Sequence, residues 1–170
     1  LLGLALMAAC GGEAVEEPAD PRLQHPLLRA NQFSETAPKS FRARFETTKG
    51  DFVIEVHREW APLGADRFYN LVKRGWYDGV RFHRVLKNFM AGWGIHDEPY
   101  VNAVWQDEFL ADDPVTQSNT RGRVSFAKSG PNSRTVQVFV NYKDNSSLDE
   151  RGFTPFGQVA EGMDVVDGLY

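Results

Sequence analysis

The chain has 170 residues, one cysteine, and 19 Lys and Arg against 23 Asp and Glu, for a net charge of −4. This length suits one domain, and 42% hydrophobic residues are enough to build a core, which excludes a disordered chain. One cysteine excludes an internal disulfide and a multi-cysteine metal site, and the mild acidity argues against nucleic-acid binding, which needs a basic surface.

The first ten residues predict an export signal. Residues 1–10, LLGLALMAAC, are apolar or small and end at Cys10, where two glycines and an acidic stretch begin. The segment resembles the later part of a bacterial lipoprotein signal, which implies lipidation of Cys10. It also implies a cell-envelope protein that faces the periplasm and meets the membrane only through this anchor, in either the outer or the inner membrane. The alternative is a short buried helix in which Cys10 is an ordinary apolar residue.

A change of composition marks the start of the folded domain. Four prolines separate acidic residues from a few apolar ones between Gly11 and Lys39, which predicts a tether over residues 11–39. The domain is then expected over residues 40–170, in a chain whose C-terminal part is truncated.

The domain predicts many short strands and few helices. Phe41 to Thr48 alternates apolar and polar side chains, as a half-buried strand does, and Gly50 lies in a turn to a second strand. Pro62 begins a helix that Gly75 ends. Further strands are predicted over 80–86, 88–93, 123–128, 136–141 and 156–159, and a short helix over 161–170. This pattern favours a mainly β fold, a closed antiparallel barrel with flanking helices.

Two predicted strands break their own alternation. In the strand over 80–86, Arg84 shares a face with apolar residues, and a buried guanidinium is costly unless it is paired or faces a cleft. In the strand over 136–141, Gln137 shares a face with Phe139, and a buried amide needs a partner. The plain alternatives are a strand-edge arginine that reaches solvent and a glutamine bonded to a loop backbone. Together the two anomalies predict a shared cleft.

The segments around these residues resemble the cyclophilin-type peptidyl-prolyl isomerases. The resemblance is carried, in the family's order, by the segments FHRV, NFMAGWG, RGRVSFAKSGPNS, VQVFV, SLD and FTPFGQV. It covers the chain from about residue 41 to its end. It implies the family's closed eight-stranded antiparallel barrel with flanking helices, with the last strand missing from this chain. It also implies an enzyme that isomerises X–Pro peptide bonds without a cofactor or a metal.

The resemblance also assigns roles to individual residues. Arg84 matches the family's catalytic arginine. The residues that match substrate-binding positions are Phe89, Met90, Phe139 and Leu148 around the proline, Ala127, Lys128 and Gln137 along the substrate backbone, and Phe153 in place of a pocket histidine. Three further departures are Gly92 for a glutamine, Lys128 for an asparagine, and Ser147 for a tryptophan important in cyclosporin binding. Weak or no cyclosporin binding is therefore expected.

The expected partners are proline-containing peptides and unfolded or folding proteins, bound by a monomer. The alternative function is a proline-peptide-binding holdase or scaffold with little turnover, because Gly92, Lys128 and Phe153 alter the cleft around the arginine. The four histidines show no metal-binding spacing. The acid pairs Asp112-Asp113 and Asp149-Glu150 are expected in solvated loops.

Overall fold

The computed structural model describes residue 20 and residues 24–169. Seven strands form one antiparallel sheet in the order β1-β2-β7-β5-β6-β4-β3. The strands are β1 (Ser40–Thr47), β2 (Gly50–His57), β3 (Arg84–Leu86), β4 (Met90–Trp93), β5 (Arg123–Phe126), β6 (Val138–Asn141) and β7 (Pro155–Glu161). The helices are α1 (Pro62–Lys73), α2 (Pro99–Trp105) and α3 (Met163–Asp167). The mainly β class with flanking helices is confirmed.

The sheet curls, but hydrogen bonds among the described residues do not close it. Phe45 of β1 and Trp93 of β4 lie far apart in the strand order, yet their ring centroids are 5.7 Å apart. β1 and β3 are the two edge strands, and a groove of about 730 Å³ is lined by residues 44–48 and 79–82. The closed eight-stranded barrel is therefore not confirmed.

The main core follows from alternation in the strands and from one face of α1. Phe52, Ile54 and Val56 of β2 point inward and are buried. The helix α1 covers one end of the sheet, where Phe68 packs on Phe156 with ring centroids 4.8 Å apart. Pro62 stands at the start of this helix, as predicted, because its missing N–H would have no partner there.

Part of the predicted tether lies on the domain. The side chain of Trp105 donates a hydrogen bond of 2.6 Å to the carbonyl of Leu27, which is itself buried. Glu35 and Asn70 exchange two hydrogen bonds, of 3.1 and 2.7 Å, and the N–H of Ala37 donates to Asp66 over 2.8 Å. Residues 24–39 are thus packed against α1 and α2. The predicted signal and Cys10 lie outside the described residues.

Asp66 links this packed segment to the helix and gives the fold a pH dependence. Partial burial alone would raise the pKa of Asp66, but hydrogen bonds from Arg58 and from the N–H of Ala37 outweigh it and lower the pKa. A carboxyl group with a lowered pKa stabilises the fold above its unfolded pKa of about 3.9. This stabilisation is lost as the pH falls through the folded pKa.

We expect Asp66→Asn to lower the free energy of unfolding at neutral pH by about 1–2 kcal/mol, because the bonds to Ala37 and Arg58 weaken. The variant should also lose less stability than the wild type as the pH falls below about 4. Urea unfolding at a series of pH values measures both effects. An equal change from Glu59→Gln, which alters an exposed carboxylate, would contradict the assignment.

Candidate active site

Three residues on neighbouring strands form a row across one face of the sheet. Arg84 of β3 lies opposite Gly92 of β4, and Gly92 lies opposite Phe139 of β6. Opposite residues project from the same face, and neighbouring strands are about 4.8 Å apart. The side chains of Arg84 and Phe139 therefore leave the sheet about 10 Å apart, two strand spacings. Gly92 has no side chain, and the end of the Met90 side chain lies over it, since a Cβ at Gly92 would be 3.3 Å from the Cε of Met90.

An apolar pocket, separate from the main core, adjoins this row. Met90, Phe139 and Leu148 form a second buried cluster, and three partly buried residues pack against it: Phe89, Ala127 and Phe153. Val138 and Val140, the neighbours of Phe139 in β6, belong to the main core instead. The structure thus brings together six of the residues expected to bind substrate. The alternation expected for this strand, with its valines on one face and Phe139 on the other, is confirmed.

Arg84 is exposed at the first position of a three-residue edge strand. Within residue 20 and residues 24–169, its guanidinium makes no hydrogen bond and no ion pair. Arg84 is therefore a strand-edge arginine that reaches solvent, as the plain alternative held, and β3 is shorter than the strand predicted over residues 80–86. Residues 80–83 lie outside the ladder, and Phe82 packs onto Trp93 with ring centroids 5.2 Å apart.

Gln137 is half-buried, one residue before β6, and its carbonyl accepts a hydrogen bond of 2.9 Å from the N–H of Ala127. Its side chain lies close enough to His83 to act on the pKa of that imidazole. Partial burial and the charge of Arg84 lower the pKa of His83 more than the amide of Gln137 raises it, which favours the neutral imidazole. His83 was not expected at the site, because strict alternation places it opposite Arg84.

Buried asparagines hold the loops that wall the pocket. Asn119 donates one hydrogen bond of 2.7 Å to Asp149 and another of 2.7 Å to the carbonyl of Phe153. Asn145 donates to the carbonyl of Phe89 over 2.9 Å. Neither asparagine was predicted to lie at the site, because asparagine between strands is typical of turns and gives no sign of burial.

The acid pairs are not all solvated. Asp113 is buried and accepts hydrogen bonds of 2.9 Å from the N–H groups of Leu63 and Gly64. Asp149 accepts from Asn119, as described, and Asp112 lies 2.7 Å from the Nζ of Lys128. The expectation of solvated loops is therefore wrong for Asp113, and Asp112 and Asp149 are partly buried. These carboxylates are buried or partly buried because each accepts hydrogen bonds from donors that lie far away in the sequence.

The described residues offer no obvious metal site. Over residue 20 and residues 24–169, no three His, Cys, Asp or Glu side chains are grouped so that they could hold a metal ion. In the same part of the chain, no helix is both long and apolar enough to cross a membrane. The chemical groups at the row and beside it are the cation of Arg84, the amide of Gln137, the imidazole of His83 and apolar side chains.

Comparisons with known proteins agree with this geometry. The family model "Cyclophilin type peptidyl-prolyl cis-trans isomerase/CLD" matches residues 42–170. A peptidyl-prolyl cis-trans isomerase of Acinetobacter baylyi is 35% identical over 129 residues, which cover 73% of this chain and 69% of that protein. "Peptidyl-prolyl cis-trans isomerase-like 2" of Gibberella zeae is 39% identical over 133 residues, 75% of this chain, and the match spans only 22% of its own length.

Solved structures show the same fold. A cyclophilin-type peptidyl-prolyl cis-trans isomerase of Cryptosporidium parvum superimposes with a TM-score of 0.66 at 24% identity, over 76% of this chain and 83% of that one. A second structure of that protein, in the presence of the dipeptide Ala-Pro, gives a TM-score of 0.63 over 74% and 82%. With a family model that matches most of its length, the chain belongs to the cyclophilin-type peptidyl-prolyl cis-trans isomerases.

Proposed function

We propose that this chain accelerates rotation about X–Pro bonds in proteins of the bacterial cell envelope, with Arg84 as its catalytic residue. The observation that carries the proposal is the row across β3, β4 and β6. An exposed guanidinium, with no acidic partner among the described residues, stands on one side of Gly92, and the ring of Phe139 stands on the other. A cation beside an apolar pocket suits a substrate with a polar amide beside a carbon ring.

The reaction needs stabilisation of a twisted amide and no bond cleavage. Rotation about a peptide bond crosses a barrier of about 18–20 kcal/mol, which reflects lost resonance. The trans form of X–Pro is favoured by only about 0.5–1 kcal/mol, so both isomers are available substrates. As the bond twists, the prolyl nitrogen becomes pyramidal and gains a lone pair. A donor aimed at this nitrogen binds the twisted state better than the planar one, which is what lowers the barrier.

Arg84 suits this role because a guanidinium stays protonated and carries several donors in a rigid plane. The pocket has a separate role, since Met90, Phe139 and Leu148 would hold the proline ring while the residue before it rotates. Gln137, half-buried one residue before β6, would bind the substrate backbone. No proton transfer and no cofactor enters this scheme.

We expect Arg84→Ala to lower kcat/KM for a short X–Pro peptide by about a hundredfold or more, as loss of a transition-state donor does elsewhere. The Kd of the same peptide should change less than about threefold, because the apolar pocket remains. Exchange between the cis and trans peptide signals in NMR measures the first quantity, and peptide titration measures the second.

Arg84→Lys is the matched control for the charge. A lysine keeps the positive charge but loses the planar donors, so its turnover should lie between those of the wild type and Arg84→Ala. Unchanged turnover in Arg84→Ala would remove Arg84 from the catalytic role.

A holdase with little turnover is the second candidate, and one observation favours it. No hydrogen bond from the described residues orients the Arg84 guanidinium, and Gly92 stands directly opposite it without a side chain. An arginine that samples many rotamers stabilises a transition state poorly. Peptide binding without acceleration by the wild type would establish this second function.

We expect Gly92→Gln to raise kcat by about fivefold, because a glutamine opposite Arg84 can accept a hydrogen bond and hold the guanidinium. A Cβ at this position would lie 3.3 Å from the Cε of Met90, a tight contact that a small shift at the end of the methionine side chain relieves. Gly92→Ala is the control, since it adds the Cβ without the amide. A fall in kcat for Gly92→Gln alone would contradict this role, and would show that a side chain at this position disturbs the pocket.

The cell-envelope location rests on the N-terminal sequence. The apolar run that ends at Cys10 supports export and lipidation, and several acyl chains would be needed, because one chain anchors only marginally. The proposed clients are therefore unfolded or folding proteins that reach the periplasm. The chain would act on them as a monomer, and cyclosporin would bind weakly, because Ser147 stands where the family has a tryptophan.

Labelled fatty acid fed to bacteria that express the full-length gene tests the anchor. We expect the label on the wild type and none on Cys10→Ser, because the lipid is attached to the protein through the cysteine sulfur. The variant should move from the membrane fraction to the soluble fraction. Label that survives the substitution would refute lipidation at Cys10.

A further inference from the structure

Four charged side chains meet behind one wall of the pocket. The Nζ of Lys128 lies 2.7 Å from Asp112, and the Nη2 of Arg134 lies 3.0 Å from Asp113. The side chains of Lys128, Arg134 and Asp113 are only 6%, 2% and 3% exposed, and that of Asp112 is 23% exposed. Buried charges are costly unless they are paired. Two cations and two anions balance here.

This cluster joins several separate segments. Asp113 accepts from the first N–H groups of α1, and its own carbonyl accepts a hydrogen bond of 2.9 Å from Thr154. Asp112 accepts a hydrogen bond of 3.0 Å from the N–H of Asn132. Partial burial alone would raise the pKa of Asp112, but the bonds from Lys128 and Asn132 outweigh it and lower the pKa. The carboxylate of Asp112 therefore stays ionised and holds the ammonium group of Lys128 in place.

Lys128 connects this cluster to the pocket. Its Nζ lies 5.6 Å from the ring centroid of Phe153, a distance at which a cation and an aromatic face attract each other. The ring of Phe153 packs edge-on against Phe139 at 5.8 Å. The Nζ of Lys128 also lies against the backbone turn before this ring, since a Cβ at Gly152 would be 2.9 Å from it.

We propose that Lys128 is a positioning residue, whose ammonium group, held by Asp112, fixes the ring of Phe153 and thereby the width of the proline pocket. The inference rests on the proposed function and deepens it. Lys128 acts through Phe153, and its own donors are directed at Asp112. Lys128 would therefore affect substrate binding through the shape of the pocket, and its ammonium group would not contact the substrate.

The test variant is Lys128→Met, which keeps much of the aliphatic stem and removes the charge. We expect KM and the peptide Kd to rise by about threefold to tenfold, the range of one buried cation–aromatic contact. The value of kcat should stay within about twofold, because Arg84 and the reacting bond are unchanged. Lys128→Arg, which restores the cation, should recover most of the affinity.

Two peptides separate positioning from direct contact. One carries alanine beside proline and the other carries glutamate. A positioning residue weakens both by the same factor, whereas a lysine that touches the substrate weakens the acidic peptide more. A loss confined to the acidic peptide would overturn the proposal, and so would an unchanged KM and Kd.

Arg58→Met is the control for stability. Arg58 forms an ion pair with Asp66 at 2.7 Å, and neither residue belongs to the pocket cluster. The Arg58→Met variant should have a lower melting temperature and an unchanged KM. A rise in KM equal to that of Lys128→Met would overturn the proposal. If Lys128→Met folds poorly, Lys128→Met with Asp112→Asn removes both charges and takes its place. If the wild type lacks turnover, the proposed function fails, while the peptide Kd values still decide the role of Lys128.

Discussion

The two-residue period of β4 and β6 determines both the core and the site. In β6, Val138 and Val140 fill the main core, and Phe139 between them points into the pocket. Packing of the core fixes which residues face inward, and so fixes the register between strands. The same register places Arg84 opposite Gly92 and Gly92 opposite Phe139. A slip by one residue would exchange the two faces, so the stability of the core protects the geometry of the site.

The other walls of the pocket come from loops, which a sheet cannot position. Asn119 fixes the backbone at Phe153, and Asn145 fixes the backbone at Phe89. On the far side, the Nζ of Lys128, paired with Asp112, lies 5.6 Å from the centroid of the Phe153 ring. Hydrogen bonds from polar side chains thus fix the loops in place, as backbone hydrogen bonds between strands fix the sheet. The cost of burying them is met because the great majority have partners.

The sequence pattern could predict those features that depend on residues close together in the sequence. The faces of β6, the start of α1 at Pro62 and the apolar residues of the pocket were all predictable, because each depends on periodicity or on a motif. The burial of Asp113 depends on the N–H of Gly64, 49 residues away, and the packing of Leu27 depends on Trp105, 78 residues away. Partners at such distances arise only once the chain has folded, so Asp113 was expected in solvent and the segment around Leu27 in a tether.

Arg84 differs from other cationic side chains of the domain in its lack of a carboxylate partner among the described residues. Lys128, Arg134 and Arg58 each have a carboxylate within 3.0 Å. Those pairs hold the fold together, and their donors are committed. Arg84 stands on an edge strand with no such carboxylate in the described part of the chain. An acid beside it would occupy its donors and cancel its charge before a substrate arrived. Its free donors can instead bind the prolyl nitrogen as the bond twists, and a bound proline would shield that contact from water, which strengthens it.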